Sequence, residues 1–128
     1  MARRRSVFID PVRHTAPIPM AAVVGNLLMT SGIMGADPST GELAASTEDQ
    51  ARFVFENLER VLAEAGGSVD DVVHVTVFVK DLAYREAVNV PWLDRFPDEG
   101  NRPARHTVQA DLPGAMLVQI EVVAVIEP

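Results

Sequence analysis

Cysteine is absent from the 128 residues. No disulfide framework and no thiolate metal site can therefore be built, and the chain is indifferent to its redox compartment. Long apolar runs are missing too: none approaches the ~20 residues that span a bilayer. The basic opening, "MARRRSV", has no apolar stretch behind it, so no secretory leader is read and cytoplasm is the expected compartment. Positive charge is short, with 11 Lys and Arg against 18 Asp and Glu and a net charge of −7. A general nucleic-acid binder needs clustered Lys and Arg to meet phosphates, which this balance disfavours. The run Arg3-Arg4-Arg5 is a local exception, read as a solvated terminal stretch. The three histidines, His14, His74 and His106, have no metal-ligand spacing, so no metal is expected. Glycine-rich phosphate loops, GxSxG elbows and HExxH helices are also missing.

What is present suits one compact domain over residues 1–128, with 48% hydrophobic residues and enough length to bury a core. "SVFI" (6–9) reads as a strand ended by Asp10-Pro11. "MAAVV" (20–24) and "LLMTSG" (27–32) flank Gly25-Asn26 and read as a hairpin. A loop with Pro38 and Gly41 leads to a helix whose start, Ser46 with Asp49 or Thr47 with Gln50, resembles a capping box. Ala51, Val54, Phe55, Leu58, Val61, Leu62 and Ala65 recur at helical spacing up to the stop at Gly66-Gly67. "DVVHVTVFVKD" (71–81) is a β-branched strand. Residues 82–96 form a weaker helix interrupted by Pro91. "RHTVQA" (105–110) and "MLVQIEVVAVI" (116–126) are the last strands. The order predicts an α+β fold: a mixed six-stranded sheet with two helices on one face. The other face also carries apolar residues, so a second subunit is expected to cover it.

Two positions in the last strands stand out chemically. In 117–126, Val118, Ile120, Val122, Ala124 and Ile126 share one face, and Leu117, Gln119, Glu121, Val123 and Val125 the other. Glu121 is then a carboxylate inside an apolar strand, and it needs a partner or water. Arg105, on what reads as the neighbouring antiparallel strand, is the natural partner. A guanidinium at a strand start also offers a two-pronged match to a small carboxylate, and in an acidic protein it is well placed to meet one. His106 alternates to the opposite face.

Taken together, "VGNLLMTSG" (24–32), "DPSTGEL" (37–43), residues 50–81, "AVN" (87–89), "RPAR" (102–105) and "LPGAMLVQIEVVAV" (112–125) resemble the Rid (YjgF) family, also known as endoribonuclease L-PSP. The match runs almost end to end, in order and at family spacing. The resemblance implies a chorismate-mutase-like fold and a homotrimer with clefts between subunits. It implies hydrolysis of reactive enamines and imines to 2-keto acids and ammonia without a cofactor; relatives act on aminomuconate-type compounds. By the same resemblance, Arg105 grips the substrate carboxylate, and Ser31, Gly32, Asn89 and Thr107 line the cleft.

Three departures qualify that implication. The family's "GPY" reads "API" here, with Ile18 in place of tyrosine at the cleft. The arginine is followed by His106. The family's "EIE" reads "QIE", so Gln119 stands where a glutamate attends the hydrolytic water. A glutamine can orient water but cannot take its proton. Glu121, on the same face, is the candidate substitute. Three functional readings stay open: an imine deaminase using Arg105, Gln119 and Glu121, a trimeric binder of small carboxylates without turnover, and a ribonuclease, which the charge disfavours.

Overall fold

A computed structural model describes residues 3–127. Met1 and Ala2 of the basic stretch, and Pro128, lie outside the described residues. The strands are β1 (Arg4–Val7), β2 (Ala21–Val24), β3 (Leu27–Thr30), β4 (Ile33–Met34), β5 (Val72–Val79), β6 (Ala104–Gln109) and β7 (Val118–Val125). They form one mixed sheet in the order β1-β2-β3-β7-β5-β6, with β4 also paired to β7. The helices are α1 (Thr47–Ala65) and α2 (Arg85–Arg95).

The topology explains why both helices share a face. β4 and β5 flank β7, and each runs antiparallel to it; they are therefore parallel to one another and joined by α1. β5 and β6 are parallel neighbours, joined by α2. Both crossovers step in the same direction across the sheet, and crossovers of one hand then place their helices on one side. The α1 ends follow the sequence signals. The Ser46 hydroxyl accepts from the Asp49 N–H at 3.1 Å, and Gly66 takes the left-handed conformation at φ 91°.

The apolar stripe of α1 is buried against Val118, Ile120, Val122 and Ala124 of β7 and against Val75, Val77 and Val79 of β5. Each fully buried Val, Leu or Phe contributes about 1.5–3 kcal/mol. The opposite face of the sheet stays open, with Leu27 44%, Met29 55% and Val125 37% exposed.

Five sequence expectations change. The first strand is Arg4–Val7, not 6–9, because Ile9 instead turns back to bridge Val12 around Asp10-Pro11. Part of the basic run is therefore structural: the Arg5 guanidinium donates to the carbonyls of Ala65 (3.0 Å) and Glu64 (3.4 Å). It supplies a cation to a helix C-terminus whose last turn has no basic residue,. The third strand breaks at Ser31-Gly32, so the sheet has seven strands. The helix at 82–96 begins as a 3-10 turn over Leu82–Tyr84 and continues as α2 with Pro91 inside it.

The largest correction concerns the last two strands, which are not neighbours. β6 lies at the sheet edge beside β5, and β7 pairs with the other side of β5. The α2 crossover delivers β6 in the same direction as β5. The loop after β6 then passes across the end of β5, held by the Ala110 N–H on the Val79 carbonyl (2.9 Å) and the Lys80 N–H on the Leu117 carbonyl (3.0 Å).

Candidate functional site

Arg105 pairs in register with Val75, and Thr107 with Val77. Paired residues share a face, so both side chains stand on the helix side of the sheet, at its edge. There the Arg105 guanidinium lies 5.0 Å from the ring centroid of Trp92 on α2, a stacking geometry that guanidinium favours. Its Nε donates to the Thr107 hydroxyl at 3.2 Å. Neither terminal nitrogen donates to any described residue, which leaves the fork free for an incoming planar anion. Burial and the nearby Arg85 charge hold the Arg105 guanidinium below its ordinary pKa. Asn89, one turn before Trp92 on α2, is half-buried.

A second group of predicted residues gathers elsewhere. Gln119 pairs with Phe78 and Met34 on the open face of the sheet. Its amide lies on Gly32: a Cβ built on Gly32 would come within 2.5 Å of the Gln119 Nε2. Only glycine lets the two approach. The Ser31 hydroxyl donates to the Pro19 carbonyl at 2.8 Å, which fixes the segment carrying Ile18. Ile18 itself is 44% exposed and borders a cavity of about 320 Å³ with Ser6, Phe8, Arg13 and His14. The strand break at Ser31-Gly32 has its own compensation, since the Thr30 hydroxyl accepts from the Val122 N–H at 2.9 Å.

The expected Arg105–Glu121 pair does not form. β5 lies between the two strands, and Glu121 pairs with Thr76 on the open face, opposite to Arg105. Glu121 is exposed and has no ion-pair partner among the described residues. Its register row continues through Thr76 to His106, so His106 shares the open face with Glu121 while Arg105 does not. Arg105 and Gln119 are on opposite faces, two strands and three register positions apart. That is about 10 Å across the sheet and about 10 Å along it. Within one chain they cannot touch one small ligand.

Sequence reasoning passed over two buried amides that hold the second group in place. Gln50, 0% exposed, donates to the carbonyls of Ala44 and Ala115, each at 2.9 Å, and accepts from the Leu117 N–H at 2.8 Å. Asn57 donates to the carbonyls of Met34 and Ala36 at 3.2 and 2.8 Å. Both lie on the stripe of Val54 and Val61 in α1, and a polar residue on a core stripe is a readable signal. A groove of about 340 Å³ between α1 and α2, lined by Glu48, Arg52, Val90 and Asp94, contains none of the predicted site residues. No group of His, Asp or Glu among the described residues is arranged to hold a metal. None of the described helices is long and apolar enough to cross a membrane.

The sheet order, with both helices on one face, defines the chorismate-mutase-like α+β class. Residues 13–126 match the family described as Endoribonuclease L-PSP. A RutC family protein of Pasteurella multocida is 42% identical over 113 residues, covering 85% of this chain and 87% of its own. The protein named "Putative reactive intermediate deaminase TdcF" of Escherichia coli K12 is 35% identical over 111 residues, covering 85% and 86%. The crystal structure of RidA from the Antarctic bacterium Psychrobacter sp. superposes with a TM-score of 0.86 at 33% identity, covering 95% of this chain and 99% of that one. The chain belongs to the endoribonuclease L-PSP, or Rid, family.

Proposed function

We propose that the protein is an imine deaminase, hydrolysing a small carboxylate-bearing 2-imino or 2-enamino compound to a 2-keto acid and ammonia. The observation that carries this reading is the free fork of Arg105, held at Nε by Thr107, backed by Trp92, and lacking an acidic partner among the described residues. The relative named as a reactive intermediate deaminase supports it.

The chemistry asks little of the protein. Water adds to the C=N carbon, most readily when the nitrogen is protonated. One proton of the water passes to nitrogen on addition; the carbinolamine then loses its C–N bond as its hydroxyl gives up the second, and ammonia leaves. Net, imine plus water gives keto acid plus ammonia. The protein holds the carboxylate and places one water, a proximity effect. Arg105 does the first. Gln119 orients the water, and Glu121, two residues on and on the same face, takes its proton. No cofactor enters this scheme.

Because Arg105 and Gln119 lie on opposite faces, the two halves meet only between copies. The homotrimer supplies that arrangement: the edge of one chain, bearing Arg105, Thr107 and Asn89, faces the Ser31-Gly32-Gln119 surface of the next. The exposed apolar side chains of Leu27, Met29 and Val125 are then covered by the association. We place the trimer in the cytoplasm.

A second reading, binding of a keto acid without turnover, is favoured by one residue, the neutral Gln119. Ribonuclease action is disfavoured by the net charge of −7, which gives phosphates no basic track. Ammonia release from 2-iminopropionate, generated in situ by an amino-acid oxidase, separates these readings. The deaminase reading expects acceleration by wild type and its loss in Arg105→Ala. Equal rates with and without protein favour the binder.

A further inference from the structure

We propose that Arg85 is a second anion-binding residue beside Arg105, and that the protein selects imino acids carrying a second negative group, namely dicarboxylic imines. This rests on the deaminase reading above for the reaction, but the anion site itself stands on geometry.

Positions 85, 89 and 92 are spaced by four and three residues, so Arg85, Asn89 and Trp92 share one face of α2. Trp92 fixes which way that face looks, because its ring lies under the Arg105 guanidinium at 5.0 Å. Two arginines, one from the strand and one from the helix, therefore border one edge surface. Their mutual repulsion is felt: Arg85 is the charge that, after burial, lowers the Arg105 pKa.

No ion pair among the described residues offsets this. Neither arginine forms an ion pair among the described residues, although the sequence has 18 acidic residues. None of the described acids near α2 pairs with either arginine. Asp81 accepts the Ala83 N–H, Glu59 and Asp94 pair with Arg95, and Glu86 sits about 100° around the helix from Arg85. Arg85 is exposed and follows directly on the 3-10 turn Leu82–Tyr84. Its one side-chain bond, Nε to the Leu82 carbonyl at 3.1 Å, leaves its terminal nitrogens unpaired among the described residues. The repulsion between these two unpaired arginines is relieved by one event, the arrival of a ligand with two negative groups. The carboxylate beside the C=N bond takes Arg105, and the distal anion takes Arg85.

The test compares two imines of equal length made by oxidase action on glutamate and on glutamine. They differ only in whether the distal group is charged. Wild type is expected to prefer the glutamate-derived imine in kcat/KM by about tenfold or more, the scale of one charge-assisted hydrogen bond. Arg85→Met should bring that ratio close to one, and Arg85→Lys should restore part of it. Catalysis of both imines with no preference overturns the inference and leaves the deaminase reading intact. Catalysis of 2-iminopropionate but of neither of these also overturns the inference, and catalysis of none of the three overturns the deaminase reading instead. Calorimetry with 2-oxoglutarate and its 5-amide then decides the anion site: tighter binding of the diacid that Arg85→Met abolishes upholds it, and equal binding ends it.

Discussion

Replacing Gln50 by leucine keeps the side-chain volume and removes every hydrogen bond that ties the loop before β7 to α1. Three short bonds are lost, to the Ala44 and Ala115 carbonyls at 2.9 Å and from the Leu117 N–H at 2.8 Å. A longer one, from the Val118 N–H at 3.4 Å, goes with them. Stranded groups cost about 1–3 kcal/mol each, and the Ala115 carbonyl, on an exposed residue, belongs at the low end. A leucine gains about 1–2 kcal/mol of apolar burial in return. The net loss is about 2–4 kcal/mol, a large share of a small domain's stability, and a fall in Tm of roughly 10 °C. Urea unfolding followed by fluorescence measures it directly, because the single tryptophan, Trp92, is 7% exposed. Wild type and variant are compared at one protein concentration, since association adds to apparent stability. A loss below about 1 kcal/mol would refute the idea that this amide is the latch of the β7 approach.

Further outcomes follow from the same geometry. Gly32→Ala pushes only the mobile end of Gln119, 2.5 Å from the new Cβ; the fold should lose less than about 1 kcal/mol while imine hydrolysis drops at least tenfold. Gly35→Ala meets the Gln50 backbone at 2.5 Å, so its effect should appear as about 1–3 kcal/mol of lost stability in thermal unfolding. The Ser39 backbone N–H, then the Ser39 hydroxyl, hold Asp37 below its ordinary value of 3.8. A carboxyl depressed in the folded state stabilises it above the unfolded pKa, and that contribution is lost as pH falls through the lower folded value. The stability gap between wild type and Asp37→Asn should therefore be constant near neutrality and close below roughly pH 4, as read by chemical denaturation across that range.

The α1 stripe, its Ser46 cap and its Gly66 stop were legible because a helix registers locally, in periodicity and in capping chemistry. The alternation of β7 was equally plain, and the buried set from Val118 to Ala124 follows it. Strand neighbours were not legible. Consecutive strands usually pair, which made β6 and β7 look adjacent and gave Glu121 a false partner in Arg105. The crossover through α2 claims β6 for the far side of β5, and only tertiary structure records that. Arg105 itself was readable as a cation at the head of an apolar strand. Its support by Thr107 and Trp92 was not, because those contacts depend on which face of β6 meets α2. Arg85 gave no signal as a site residue, since an arginine at a helix start looks like ordinary solvated surface until its neighbour is known.

The central claim is that the site is shared between copies, with Arg105 from one chain and the Gly32-Gln119 surface from the next. Co-expression of Arg105→Ala and Gly32→Ala chains in equal amounts tests it. Each parent alone should be nearly inactive on its imine substrate. With chains mixed at random in the proposed trimer, about one interface in four combines an intact Arg105 with an intact Gly32, by the cyclic symmetry of a heterologous ring. About a quarter of wild-type ammonia release is the predicted result. Activity no higher than that of the two parents would contradict a shared site.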